Sequence, residues 1–353
     1  MTPLAHIAAL APYGAAELGP ELTSLAQNES AFPPSPRALE AARMALAEAR
    51  LYPDPNWTLL RRAIAETHPL GPGEILCGAG SMELIGALAT AYLGPGRRAL
   101  IPAHAYPYFA TAVAQTGAAL DRAPEDRFTA DPDALLAAVR SETTVLFLAN
   151  PGNPTGTHLP PEAIRALRAA LPSHVLLVLD EAYGEFADPS EGACWDLVAR
   201  GDTVVLRTLS KAYALASLRA GWGLFPPEIA SLLRRVLRPN TLSAPTQAAA
   251  AAALRDRAHR DRIVAETAAR RESFGARLAK AGFTLPGSAT NFVLAPFASA
   301  TDAQSADRAI RAGGIAPRSA AGAGLPHALR ITIGPEAAMD HAADILATHG
   351  GAP

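Results

Sequence analysis

The sequence predicts an α/β protein with a mostly parallel sheet, followed by a smaller α+β domain. Two observations along the 353 residues predict the sheet. Short apolar runs alternate with longer Ala-rich helical stretches, and the runs are nearly continuous in Val, Leu, Ile and Ala, as in strands covered by helices on both faces. A third observation predicts the smaller domain, because a long charged helical stretch after residue 243 precedes three more strand patterns.

The strand candidates of the sheet are Glu74–Gly78, Ala99–Pro102, Val145–Ala149, Val175–Leu179, Thr203–Leu206 and Gly221–Phe225. Helical patterns between them cover Met82–Tyr92, Pro107–Gln115 and Pro161–Leu171. The C-terminal part contains one helical stretch and three strand candidates, Ala244–Ala281, Asn291–Ala295, Ile315–Arg318 and Leu329–Ile333. Because Pro, Gly and Asn are frequent near the N-terminus, we predict an arm and lead-in segment over residues 1–40, a large domain over 41–243 and a small domain over 244–353.

Composition and charge exclude several classes of protein. Hydrophobic residues make up 49% of the chain and charged residues 18%, which is ordinary for a globular protein. The net charge of -2 and the alternating charges of the long helical stretch do not favour a nucleic-acid partner. The two cysteines predict free thiols rather than a disulfide framework. No apolar run approaches the roughly 18 to 20 residues of a membrane span and no basic leader is present, so we expect a cytoplasmic protein without a membrane partner or a metal.

An amine and a carboxylate follow two of the predicted strands. Lys211 comes shortly after the run that ends at Leu206, and Asp180 directly follows the run that ends at Leu179. Ligands of parallel sheets bind at the carboxyl ends of their strands. A lysine that reacts with an aldehyde, and an acid that keeps a pyridine nitrogen protonated, are what pyridoxal 5'-phosphate requires. The alternatives are a surface lysine, and a helix cap or ion pair for Asp180.

Further side chains suit the same cofactor. Tyr183 and Asn153 could both reach its 3'-oxygen, although a tyrosine is more often a core residue and Asn-Pro-Thr-Gly by itself only indicates a turn. Tyr106 could stack on the ring or simply pack in the core.

The predicted phosphate site is a glycine turn followed by a helix. The segment 78–81 allows backbone N–H groups to approach an anion at a helix N-terminus, although Ser81 could instead serve as a helix cap. Within this turn and helix, the predicted phosphate ligands are Gly80, Ser81 and the backbone of Met82. The hydroxyls of Thr208 and Ser210 and the guanidinium of Arg219 are predicted to add further donors. Arg330 lies in an alternating strand pattern and could bind the carboxylate of an amino acid, or form a structural ion pair.

Together these segments resemble the fold-type I, pyridoxal-phosphate-dependent aminotransferases, and within them the histidinol-phosphate aminotransferase family. The resemblance covers nearly the whole chain. It rests on segments 28–36, Tyr52-Pro53-Asp54, 207–213 with Leu218-Arg219, Asn291-Phe292 and 329–334. It implies a three-layer, aspartate-aminotransferase-like large domain. The implied reaction is transamination between a small-molecule amino donor and a 2-oxo acid, with histidinol phosphate and 2-oxoglutarate as the family's substrates.

The resemblance also implies residue roles and a homodimer. Tyr52 would reach the cofactor phosphate of the neighbouring subunit. Arg318 would lie near the substrate's phosphate, Tyr13 would close over the substrate, and Asn28 would take part in binding it. The chain departs from the family pattern at several positions: Ser30-Ala31 replaces Asn-Pro, Pro33-Pro34 replaces Phe-Gly-Pro, Met82 replaces Asp, and segment 105–108 is unusual. The reaction type is therefore better supported than the substrate.

Three alternative functions use the same residues. An aromatic amino acid could replace histidinol phosphate as the substrate. A lyase resembling threonine-phosphate decarboxylase would break a different bond at Cα. A pyridoxal-binding regulator would need a DNA-binding module, and neither a helix-turn-helix before Ala31 nor a basic tract is predicted.

Overall fold

The computed structural model describes residues 1–10, 21–68, 70–187, 192 and 194–350. Its strands are β1 (Thr23–Ser24), β2 (Ile75–Gly78), β3 (Arg98–Pro102), β4 (Ala119–Ala123), β5 (Glu125–Asp126), β6 (Thr129–Ala130), β7 (Thr143–Ala149), β8 (Leu176–Asp180), β9 (Thr203–Thr208), β10 (Gly221–Leu224), β11 (Phe292–Pro296), β12 (Ile315–Ala316), β13 (Arg318–Ser319) and β14 (Ala328–Thr332).

The helices are α1 (Ala5–Ala8), α2 (Pro36–Ala45), α3 (Thr58–Thr67), α4 (Ser81–Tyr92), α5 (Pro107–Ala114), α6 (Pro132–Ala137), α7 (Pro161–Ala170), α8 (Gly184–Ala187), α9 (Pro227–Leu233), α10 (Ala244–Arg255), α11 (Arg257–Lys280), α12 (Ala300–Ala312) and α13 (Glu336–Ala347). Within the described ranges, no helix is both long and apolar enough to cross a bilayer.

A seven-stranded sheet forms the centre of what we call the large unit. Its strand order is β2-β10-β9-β8-β7-β3-β4, and β10 alone runs antiparallel to its neighbours. The six predicted strands are all present, with ends shifted by one or two residues. Every residue of β8 and β9 is buried, because helices pack on both faces of the sheet, and this explains their continuous apolar runs. Edge strand β4 was not predicted, because it is only partly buried and its sequence, Ala-Leu-Asp-Arg-Ala, contains two charged residues.

A three-stranded antiparallel sheet, in the order β11-β14-β13, forms the centre of the small unit. The predicted strand Ile315–Arg318 was wrong as a single element, because β12 and β13 pair with different partners. β12 pairs with β1, whereas β13 pairs with β14. Leu25, which follows β1, lies in the hydrophobic core of the small unit. The lead-in segment is thus part of the small unit's packing.

The predicted single helical stretch from Ala244 to Ala281 was also wrong in one respect, because it is two helices separated at Asp256. The backbone of Asp256 leaves the helical region (φ -90°, ψ 60°), and its carboxylate accepts a hydrogen bond from Ser35 Oγ at 2.5 Å. Helix α10 packs into the core of the large unit, whereas α11 contributes Phe274 and Leu278 to the core of the small unit. The domain division at residue 243 stays a prediction, and this packing favours a boundary nearer Asp256.

Candidate active site

The candidate site lies at the carboxyl ends of β7, β8 and β9, where the lead-in segment and β14 meet the large sheet. Asp180 is the last residue of β8, and its register partners are Ala149 at the end of β7 and Leu206 in β9. Lys211 follows the end of β9 by three residues. The structure therefore brings the predicted amine and carboxylate to the same edge, as parallel strands require.

Asp180 is a buried carboxylate with an unused oxygen. Its side chain is 3% exposed, and Oδ1 has no hydrogen-bond partner among the residues that the structure describes. Burial raises the pKa of Asp180 from 3.8 to about 7, while a backbone N–H from Ala182 acts in the opposite direction. The buried Arg207 of the neighbouring strand does not neutralise it, because that guanidinium pairs with Glu181 and Glu185. Asp180 is thus placed to accept a proton or a hydrogen bond from a ligand.

Lys211 presents an amine that is only weakly basic. Its Nζ donates hydrogen bonds to the carbonyl oxygens of Gln27 at 3.2 Å and Asn28 at 2.9 Å. Burial of the amine, with a smaller contribution from the charge of Arg330, lowers the pKa of Lys211 from 10.5 to about 7. An amine that is about half neutral at pH 7 can act as a nucleophile or a base.

Tyr183 is tied to the lead-in segment. Its hydroxyl oxygen accepts a hydrogen bond from Asn28 Nδ2 at 2.7 Å, and burial raises its pKa to about 12. Asn28 has a left-handed backbone (φ 55°) and is held by Thr332, to whose Oγ1 its N–H donates at 3.0 Å. The hydroxyl of Thr332 in turn donates to Asn28 Oδ1 at 3.1 Å. No local sequence signal indicated that Thr332 would be the residue orienting Asn28.

The glycine turn before α4 packs closely against β10 and Arg219. Gly80 has a φ of 80°, and a Cβ added there would lie 2.5 Å from Nη2 of Arg219. A Cβ on Gly221 would lie 2.4 Å from the backbone N of Ser81. The alternative role of Ser81 as a helix cap is not seen, because Ser81 is the first residue of α4 and Gly80 occupies the cap position. The side chain of Glu83 accepts the N–H of Ala79.

Three side chains beside this turn, those of Arg219, Thr208 and Ser210, are joined by hydrogen bonds. Arg219 Nη1 donates to Ser210 Oγ at 3.2 Å, and Thr208 Oγ1 donates to the same oxygen at 3.0 Å. Thr208 and Ser210 are both buried. The guanidinium, the two hydroxyls and the start of α4 thus face one small volume, an arrangement suited to a phosphate group.

Two arginines face each other in the small unit. Arg330 on β14 donates from Nη1 to Asn153 Oδ1 at 2.7 Å and from Nη2 to the carbonyl oxygen of Ala26 at 2.5 Å. Arg318 on β13 is its direct register partner in an antiparallel pair, so both side chains lie on one face of the sheet. Like charges at such a position are unfavourable by themselves. An anionic ligand between them would remove the repulsion.

The remaining predicted residues occupy varied positions. Tyr106 is partly buried and meets Phe109 edge to face, with ring centroids 5.6 Å apart. Met82 is partly buried in the first turn of α4. Tyr52 is 89% exposed. Tyr13 lies outside the described residues.

The chain matches a known protein family along most of its length. Residues 20–346 match the model of the aminotransferase class I and II family. The chain belongs to this family. A histidinol-phosphate aminotransferase of Rhodospirillum centenum is 42% identical over 346 residues, which cover 96% of this chain and 95% of that protein. A relative of the same name from Paramagnetospirillum magneticum is 44% identical over 319 residues, covering 89% and 87%.

Solved structures agree with this membership. The crystal structure of histidinol-phosphate aminotransferase from Sinorhizobium meliloti, in complex with pyridoxal-5'-phosphate, superposes with a TM-score of 0.90 at 32% identity and covers 98% of this chain and 96% of that one. Aspartate aminotransferase from Thermus thermophilus superposes with a TM-score of 0.82 at 23% identity, covering 93% and 91%, which supports the fold alone. The predicted aspartate-aminotransferase-like α/β fold is confirmed, and the chain is an aminotransferase.

Proposed function

We propose that this aminotransferase uses pyridoxal 5'-phosphate to transfer an amino group between histidinol phosphate and 2-oxoglutarate. The observation that carries the choice of substrate is the opposed pair Arg318 and Arg330. Two guanidinium groups on one face suit two anionic groups, such as the phosphate ester of one substrate and the carboxylate of the other. The names of the relatives support the same substrate.

The residues of the site fit this cofactor. The unused, buried Oδ1 of Asp180 can accept the N–H of a pyridinium ring, which would remove the unfavourable burial of a lone carboxylate. Arg219, Ser210, Thr208 and the backbone at 80–82 would hold the phosphate. Tyr183 and Asn153 would bind the ring's 3'-oxygen, and Tyr106 would stack on its face. When bound, the cofactor supplies a positively charged ring that stabilises negative charge at the substrate's Cα.

The protein's own groups carry out positioning and proton transfer. Lys211 Nζ removes the proton from Cα of the amino donor as a general base. Asp180 keeps its negative charge when it is paired with a cationic ring, because a positive partner reverses the effect of burial on its pKa. Arg330 binds the carboxylate of glutamate and Arg318 binds the phosphate ester of histidinol phosphate, which places each Cα beside the same amine.

We also propose that the active unit is a homodimer. Several large apolar side chains are exposed on one stretch of chain around Tyr52, namely Leu39, Met44, Leu46, Leu51, Tyr52 and Leu59. A second copy covering this stretch would bury them and bring Tyr52 to the neighbouring phosphate site.

A hybrid dimer tests the role of Tyr52. Lys211→Ala and Tyr52→Ala homodimers should each lose most activity. Hybrid dimers made from both variants should regain about half of the wild-type activity, because one site then combines an intact Lys211 with the partner's Tyr52. A hybrid that is as inactive as its parents would contradict a contribution across subunits.

The substrate is tested by turnover of histidinol phosphate and of phenylalanine, each with 2-oxoglutarate, in wild type and Arg318→Ala. We expect wild type to prefer histidinol phosphate. The variant should lose about 100-fold in kcat/KM for it, as for a lost charge-assisted pair worth about 3 kcal/mol, while phenylalanine is little affected. Equal losses on both substrates, or none, would mean that Arg318 is structural. Release of carbon dioxide without glutamate formation would identify a lyase.

A further inference from the structure

The turn that joins β13 to β14 connects the two opposed arginines. Arg318 begins β13, a two-residue strand at the edge of the small sheet, and Arg330 lies in the middle of the central strand β14. The connection contains a 3-10 turn, Ala321–Ala323, and then Gly324 with a φ of 81°. Because β13 pairs with β14 through two register pairs, this turn helps to set the position of the strand that carries Arg318.

A histidine of the large unit holds the turn. His104 Nδ1 lies 2.9 Å from the carbonyl oxygen of Ala323. A carbonyl oxygen can only accept, so Nδ1 carries the hydrogen in this contact. The backbone N–H of His104 is itself fixed by Glu125 Oε1 at 2.9 Å. A Cβ added at Gly324 would lie 3.4 Å from Nδ1, so the ring also packs closely against the turn.

A second contact from the large unit supports the same turn. Phe128, in the short β5–β6 hairpin, packs against a small apolar cluster composed of Leu294, Ala320, Leu325 and Ala328. The carbonyl oxygen of Phe128 accepts a hydrogen bond from Thr157 Oγ1 at 2.8 Å. Thr157 lies four residues after Asn153, the hydrogen-bond partner of Arg330. The hairpin that packs against the turn is therefore tied to the loop that carries Asn153.

We propose that His104 is a positioning residue for phosphate recognition, acting through the Ala323 carbonyl to orient Arg318. This inference rests on the proposed function, in which Arg318 binds the substrate's phosphate. Loss of the contact affects Arg318 more than Arg330, because Arg318 begins the two-residue edge strand that leads into this turn, whereas Arg330 lies in the middle of the central strand β14. His104 thus sets the affinity for a phosphorylated substrate and leaves carboxylate binding nearly unchanged.

Three substitutions of His104 separate this role from general stability. The amide of asparagine can place its N–H near the position of Nδ1, whereas that of glutamine lies one bond farther out and alanine has no donor. In holoenzyme, His104→Ala and His104→Gln should raise the KM for histidinol phosphate about tenfold, as expected for the loss of one hydrogen bond. The kcat and the KM for glutamate should stay within about twofold of wild type, and His104→Asn should resemble wild type. The matched control is His174→Ala, an exposed histidine before the opposite end of β8.

Hydrogen–deuterium exchange gives a readout that does not depend on turnover. Without substrate, amides in residues 319–328 should exchange faster in His104→Ala than in wild type and should be protected again in His104→Asn. Unchanged exchange in His104→Ala overturns the inference, and so does faster exchange with an unchanged KM, because the contact is then only structural. If His104→Ala does not fold, the Asn and Gln variants decide the question. A wild type that does not turn over histidinol phosphate defeats the proposed function, whereas active wild type with an unchanged His104→Ala variant defeats only this inference.

Discussion

Asp180 and Glu181 are neighbours in sequence, yet they occupy opposite electrostatic situations. Glu181 Oε2 accepts hydrogen bonds from Arg207 Nη1 at 3.0 Å and from Trp195 Nε1 at 2.9 Å. The same guanidinium pairs with Glu185 at 2.7 Å. Asp180 Oδ1, in contrast, is buried without a partner within the described ranges.

The difference separates a structural group of charges from a functional one. Burying a carboxylate without a partner costs several kcal/mol, and a fold tolerates it only where other packing offsets the loss. A paired cluster such as Arg207 with its two glutamates holds elements together, because each carboxylate lies beside the same cation. An unpaired one such as Asp180, beside an amine of depressed pKa, is typical of a binding or catalytic site.

Breaking the paired cluster should give the largest change in stability. Arg207→Met would leave two largely buried glutamates without their cation, so we expect a loss of about 3–5 kcal/mol in the free energy of unfolding. Urea denaturation of the cofactor-free protein measures it. Arg43→Ala, which removes an exposed ion pair with Glu40, is the control and should change stability by less than about 0.5 kcal/mol. If both variants lost a similar amount of stability, the buried ion pairs of Arg207 would be no more important than the exposed pair of Arg43.

Removing the unpaired charge of Asp180 should raise the free energy of unfolding, whereas breaking the paired cluster should lower it. The pKa of Asp180 is raised on folding from 3.8 to about 7, so the folded protein holds this proton more tightly, and stability is lost as pH rises between those two values. At pH 8, Asp180→Asn should therefore stabilise the cofactor-free protein by about 1–3 kcal/mol. The gain should shrink toward about pH 4.

Thermal unfolding of cofactor-free Asp180→Asn at both pH values measures this effect, and cofactor affinity should fall in the same variant. A variant that is less stable than wild type at pH 8 would show that the carboxylate has a structural partner.

The smallest expected effect concerns the rate of cofactor uptake. With a pKa near 7, the neutral fraction of Lys211 rises about tenfold between about pH 6 and pH 8, and the rate of covalent attachment should follow it. The chain has one other lysine, Lys280, which is exposed at the end of α11. Lys280→Arg should leave the pH profile of attachment unchanged, whereas Lys211→Ala should abolish attachment. A rate still rising steeply above about pH 9 would show that the amine has an ordinary pKa.

The sequence predicted the features that depend on local pattern. The buried strands β8 and β9 were visible as apolar runs, and their position predicted that Asp180 and Lys211 would lie at one edge. The glycine turn at 78–81 was also recognisable in the sequence. The structure explains why glycine is needed there, since a side chain on Gly80 would collide with Arg219.

Features that depend on distant contacts were not predictable in the same way. Asp256, where the helix breaks, accepts a hydrogen bond from Ser35, which lies 221 residues away. The two strands around Pro317 pair with different strands, β1 and β14. His104 contacts Ala323 across 219 residues, and a lone histidine before an unusual aromatic segment carries no signal of that contact. Edge strand β4 failed for another reason, since polar residues at a solvated edge weaken the apolar pattern.

The position of the lead-in segment has a consequence for synthesis on the ribosome. Residues near Leu25 are hydrogen-bonded to β12 and β14. The backbone N–H of Asn28 donates to the hydroxyl of Thr332, which is synthesised 304 residues later. At about 5–20 residues per second, translation of that interval takes roughly 15 to 60 seconds. Until then residues 23–28 lack their backbone partners in β12 and β14, so the carbonyl oxygens of Gln27 and Asn28 that accept from Lys211 are not yet held in their final positions. The enzyme therefore becomes competent only when almost its whole chain has emerged.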